Sequence, residues 1–178
     1  MSYILEKRGL MRVFDNINIL CDIVKSCDGK IVGRKRMHKI FFILQEGGFL
    51  PGKYYKFRWN YYGVYSDELA SDISVGEFFD LLRETEEVEG SYKTYVIECS
   101  NNDDYYTDIV RNPRYLKAVE LINRQETRVM EVLSSIMYFE KQGLSKAEIE
   151  KRLDIFKGHL KPFFADAFRI NDELKKIA

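Results

Sequence analysis

GRKRMHKIFFILQEGG, residues 33–48, decides how the rest of this chain is read. Met37, Ile40, Phe41 and Leu44 recur at helical spacing, and Phe42 and Ile43 widen that apolar face. Gly47-Gly48 is a stop signal, so the spacing predicts a helix over 33–46. Its front is basic: Arg34, Lys35, Arg36 and Lys39. Cations there oppose the helix macrodipole, so stability alone does not select them. Lys35, His38, Lys39 and Phe42 share one face, and such a helix could lay its basic front on phosphates. A solvated basic face paired with acids elsewhere in the chain is the competing account.

Working outward, the charge is lopsided. From Gly29 to Tyr62 there are eight Lys/Arg and one acid, Glu46, a net of +7; from Gly63 to Val110 there are thirteen acids and two bases, a net of −11. The whole 178-residue chain sums to zero. Such asymmetry indicates an anionic partner, a like-folded partner, or two halves that dock on each other.

Upstream, Leu10, Val13, Phe14, Ile17, Leu20, Cys21 and Val24 predict an amphipathic helix over 10–26, ended by Asp28-Gly29. Downstream, KYYKFRW (53–59) alternates bulky and basic residues and is expected to be a strand, followed by a turn over 61–65. Tyr54, Tyr55, Phe57, Trp59, Tyr61, Tyr62 and Tyr65 interleave with Lys53, Lys56 and Arg58. Aromatics beside cations can stack on bases, but a core strand explains them as well. Ser66 is a good N-cap for a helix over 67–73, and Ser74–Glu77 is a capping-box pattern that starts another, to Arg83. A β-hairpin is expected over 86–99.

Asn112-Pro113 opens a predicted long helix to Lys141, with Val119, Ile122, Val129, Leu133 and Ile136 on one seam. A short helix from the Ser145–Glu148 capping box and a last helix after Pro162 complete the chain. The expected fold is α+β, mostly α: a winged-helix-like core over 1–110, then a helical region over 111–178 that packs on it or forms a dimer seam.

Chemistry is sparse. Only His38 and His159 could serve as catalytic bases, and neither sits in a known motif. There is no phosphate loop or GxGxxG. Cys21, Cys27 and Cys99 lack metal-ligand spacing and are expected to be reduced thiols. Asp103, Asp104 and Asp108 are expected to form a solvated acidic loop, and Asp67, Glu68 and Asp72 to serve capping and surface charge. No apolar run reaches the length of a membrane-spanning helix, and MSYILEKRGLMRV is too charged for a secretory leader, so a cytoplasmic location is expected. The expected protein is not an enzyme and carries no cofactor or metal.

Gly33, Arg34, Lys35, Met37, Lys39 and Ile40, followed by Tyr62, Gly63, Tyr65, Ser66, Glu68 and Leu69, resemble the paired motifs of the YwgA-type proteins. More distantly they are similar to the SocA-type antitoxin and proteolytic-adaptor domains, also called Panacea. Two positions depart from the pattern: Val64 stands where proline is common, and His38 where glutamine is usual. The likeness covers about residues 10–100. It implies a non-enzymatic domain that binds a protein partner, with the shared residues chiefly shaping the fold.

Two functions are therefore expected. One is an adaptor or regulator acting through protein–protein contacts, with a possible homodimer through 112–141. The alternative is a nucleic-acid-binding transcriptional regulator using the basic helix 33–46. The candidate binding residues for either are Arg34, Lys35, Arg36, His38, Lys39, Lys56, Arg58, Tyr62 and Tyr65.

Overall fold

A computed structural model describes residues 2–60, 62–89, 91–100 and 107–178. Seven α-helices and five strands occur among them: α1 Ser2–Ser26, β1 Lys30–Val32, α2 Arg34–Glu46, β2 Arg58–Asn60, β3 Gly63–Tyr65, α3 Asp67–Phe78, β4 Leu82–Glu89, β5 Tyr92–Cys99, α4 Pro113–Asn123, α5 Thr127–Lys141, α6 Lys146–Lys157 and α7 Phe164–Ile177. The chain is α+β and mostly α. Strands β1, β5 and β4 form one antiparallel sheet in that order, and β2–β3 form a separate small hairpin.

α2 is the axis of the molecule. Every residue from Met37 to Gln45 is buried, because α5, α4, β1 and the β2–β3 hairpin all pack on it. One continuous core carries α1 and α2 side chains together with α4, α5, α6 and α7 side chains. The seam residues Val119, Ile122, Val129, Leu133 and Ile136 are all buried in that core. Their apolar surface is packed within the chain. The expected helix over 112–141 is also two helices, α4 and α5, broken at residues 124–126. Arg36 accounts for the break: its guanidinium donates to the carbonyls of Asn123 at 2.8 Å and Gln125 at 2.7 Å. Orphan carbonyls at the end of α4 are thus capped by a cation from α2.

Residues 53–57 do not form a strand. Their backbone bonds go to a side chain instead: Gln45 Oε1 accepts from Tyr54 N–H and Tyr55 N–H, and Gln45 Nε2 donates to Tyr55 O. A buried amide replaces the ladder. Asp72 is not a surface charge either. It is buried and accepts from Asn16 Nδ2 and from the Tyr55 hydroxyl, both at 2.9 Å, which ties α1, the aromatic segment and α3 together.

The two helices expected over 67–83 are one, α3, ending at Phe78. Ser66 caps it, accepting from Leu69 N–H. Ser74 is mid-helix and donates to the Ala70 carbonyl, so its capping-box spacing is not used. Gly76 lets the end of α3 close on β4: a Cβ there would lie 2.8 Å from Leu82 Cδ1 and 3.1 Å from Leu82 Cγ. Gly76→Val should therefore destabilise by about 1–3 kcal/mol through overpacking. Denaturant unfolding checks this; a more stable variant would show that Leu82 can turn aside.

Other expectations match closely. Asn112 caps α4 by accepting from Arg114 N–H, Ser145 and Glu148 form a capping box, and a hairpin spans the predicted region as β4–β5. Cys21 and Cys27 are buried, Cys99 is half-buried, and none of the three is in a disulfide. No described helix is long and apolar enough to cross a membrane.

Candidate functional site

Six of the nine candidate binding residues converge. Arg34, Lys35, His38 and Lys39 from the first turns of α2, with Tyr62 and Tyr65 from the β2–β3 hairpin, line a partly enclosed cavity of about 180 Å³. Asn60, Val64 and Ala70 complete its wall. The hairpin reaches α2 because Gly63 adopts φ 89°, a left-handed conformation that other residues resist. The register pairs Arg58 with Tyr65 and Trp59 with Val64.

The side chains around the cavity are held in different ways. Arg34 pairs with Glu84 of β4 through both carboxylate oxygens; its Nε–Oε1 distance is 2.6 Å. Lys35 is exposed, with Nζ 3.5 Å from the centroid of the Tyr62 ring, a cation–π contact. His38 is buried and stacked on Tyr65, with centroids 4.4 Å apart. Its Nδ1 accepts from Ser66 N–H at 3.2 Å, so the ring proton of neutral His38 sits on Nε2. Burial, reinforced by the neighbouring Lys39 cation, pushes the imidazole down to about 4. Lys39 is also buried. Its ammonium donates to the carbonyls of Tyr62 at 2.9 Å and Val64 at 3.5 Å. Burial pushes it down to about 8, partly offset by the carboxylate of Glu131.

That carboxylate belongs to a second layer which no pattern in the sequence marked. Glu131 of α5 accepts from Lys157, the last residue of α6, in a close ion pair. Lys157 is 1% exposed, and its Nζ lies 5.7 Å from the Trp59 ring centroid. Trp59 in turn packs on Phe139 at 4.7 Å. Charged residues at helix positions otherwise read as solvated, so only packing reveals this pair.

The other candidates lie apart. Arg36 faces the α4–α5 junction. Lys56 is exposed, and its backbone N–H donates to Glu68. Arg58 forms an exposed pair with Asp67 at 2.9 Å and lies 5.9 Å from the Tyr65 ring. Of the basic front of α2, Arg34 and Lys35 remain exposed. From Met37 onward the helix is interior, Arg36 is spent on carbonyls, and Arg34 on Glu84. Pairs Arg34–Glu84 and Arg58–Asp67 also join the basic stretch to the acidic one that follows it. Tyr61, Asp103 and Asp104 lie outside the described residues; Asp108 is exposed. Among the described residues no group of His, Cys, Asp or Glu could hold a metal ion.

A different surface stands out by exposure. Phe78 is 82% exposed and Phe79 47% exposed at the end of α3. Their rings meet edge-on at 5.1 Å, and Phe79 meets Phe14 of α1 at the same distance. Glu77 and Asp80 flank them in sequence. Nothing in the sequence distinguished these phenylalanines from core residues.

Comparison with known proteins gives one relation along nearly the whole chain. The sequence is 28% identical over 177 residues to the "Uncharacterized protein YwgA" of Bacillus subtilis (strain 168), covering 97% of this chain and 98% of that one. The chain is similar to a YwgA-type protein. The similarity extends through the C-terminal helices, beyond the residues 10–100 that carry the motifs. No protein-family model and no solved structure matches.

Proposed function

We propose that this chain is a non-enzymatic binding module, an adaptor or regulator, that meets a protein partner through the end of α3 and the adjoining strand β4. The observation that carries this reading is the exposed Phe78–Phe79 pair. Two large rings in water beside one another are uncommon on a soluble surface unless something covers them, and aromatic anchors dominate interface energetics. The flanking Glu77 and Asp80, with Glu86 and Glu87 exposed on β4, select a partner segment that is cationic around an apolar anchor. The order helix, strand, helix, small hairpin, helix, hairpin supports a winged-helix-like arrangement with a hairpin inserted between α2 and α3. In it α3 occupies the place of a recognition helix, and its acids favour a basic protein over a phosphate backbone. The more distant likeness to SocA-type adaptor domains points the same way.

The test uses the protein immobilised and offered lysate from its own cells, beside Phe78→Ser. The substitution is at an exposed position and should change stability by no more than about 0.5 kcal/mol. A partner retained by the wild type should lose about 30-fold in affinity for the variant, and should bind more weakly as salt rises. Retention that Phe78→Ser leaves unchanged overturns the proposal.

A further inference from the structure

The cavity between α2 and the β2–β3 hairpin has a chemistry of its own. Its wall carries three cations, Arg34, Lys35 and Lys39, together with His38 and Asn60, and not one Asp or Glu. The chain has as many acids as bases, 28 of each, so an acid-free wall of this composition is a local arrangement. Arg34 is paired with Glu84 and Lys39 sits in the field of Glu131, which leaves Lys35 as the exposed cation of this wall. His38 adds a directed donor. Its Nδ1 is taken by Ser66, and no described residue accepts from Nε2. Among the described residues the only fully enclosed polar side-chain atom without a partner is Ser100 Oγ. His38 lines this cavity. The Tyr62 and Tyr65 rings give it flat apolar walls.

We propose that this cavity binds a small oxyanion, a carboxylate or phosphate group, held by the Lys35 and Lys39 ammoniums and by the His38 N–H, with any attached planar body between the tyrosines. The volume, about 180 Å³, admits a group the size of benzoate. Charge-assisted bonds to a partly buried oxyanion are the strong kind, and the hairpin carbonyls already fix Lys39 in place. This site shares no residue with the Phe78–Phe79 surface, so either can fail without the other.

The test titrates the full chain with sodium benzoate, inorganic phosphate and the neutral isostere benzamide at constant ionic strength. The readouts are thermal midpoint and the fluorescence of Trp59, the single tryptophan, which adjoins Asn60. A saturable response to benzoate or phosphate, and none to benzamide, is expected. Response to benzoate alone assigns a carboxylate on a planar body; response to phosphate alone assigns the phosphoryl group. Lys35→Gln, at an exposed position, should weaken the response roughly tenfold. His38→Gln retains an acceptor for Ser66 N–H and should weaken it too. No saturable response to either anion at concentrations on the order of 10 mM overturns the proposal, as does a response that Lys35→Gln leaves unchanged.

Discussion

Glu131→Gln should destabilise the protein by about 3–5 kcal/mol, one of the two largest effects expected in this chain. Two ammoniums depend on that carboxylate. Lys157, 1% exposed, pairs with it directly, and Lys39, 2% exposed, is held charged partly by its field. An ion pair away from water gains little net stability, but removing one partner strands the other charge where water cannot reach it. Lys39 would suffer as well, and its bonds to the Tyr62 and Val64 carbonyls place the β2–β3 hairpin. The variant should therefore lose hairpin order as well as global stability. Lys157→Met in the Glu131→Gln background should recover most of the loss, because the stranded charge is then gone. Denaturant unfolding of the two single variants and the double measures this. A loss below about 1 kcal/mol for Glu131→Gln would mean that water reaches the pair and that it behaves as a surface bridge.

Acidification should cost the fold about 3 kcal/mol through His38 alone. In the folded chain the imidazole titrates near 4, against 6.5 for the free side chain. Above 6.5 it is neutral in both states and contributes no pH dependence. As pH falls from 6.5 towards 4 the unfolded chain takes up a proton that the folded chain resists, and stability declines across that window. Below 4 the loss is complete. The cause is burial first and the adjacent Lys39 second. Lys39 acts at the other end. It releases its proton near 8 in the fold and near 10.5 when free, so stability rises with pH between those values. Unfolding free energies at pH 7, 5.5 and 4 for the wild type and His38→Gln separate this group from the carboxylates. The variant should show a shallower fall over the upper part of that range. Identical slopes would mean that His38 is solvated, and would also weaken the case for its Nε2–H as a donor in the cavity.

Much of the local structure is legible in the residues. The apolar spacing from Met37 to Leu44 marks α2, Ser66 and Asn112 mark helix starts by their capping chemistry, and Gly63 marks a turn that needs a left-handed backbone. These are interactions between neighbours in sequence, so neighbours suffice to read them. The motif residues Arg34, Lys35, Lys39, Tyr62 and Tyr65 likewise proved to share one cavity. What each does there was not legible. Lys39 and His38 look like surface residues by type and are interior, because α5 and the hairpin close over that side of α2. Arg36 looks like a phosphate contact and is a helix cap for a distant segment. Residues 53–57 alternate like a strand, yet Gln45 takes their backbone bonds.

The sequence by itself determined the span of α2, the capped starts of α3, α4 and α6, the mostly helical α+β class and the polarity of its charge. The tertiary structure decided which cations are free, which are buried against carbonyls or Glu131, and which phenylalanines face water. Burial and long-range pairing set those outcomes, and they depend on segments as far apart as Lys39 and Lys157, whose meeting no local pattern encodes.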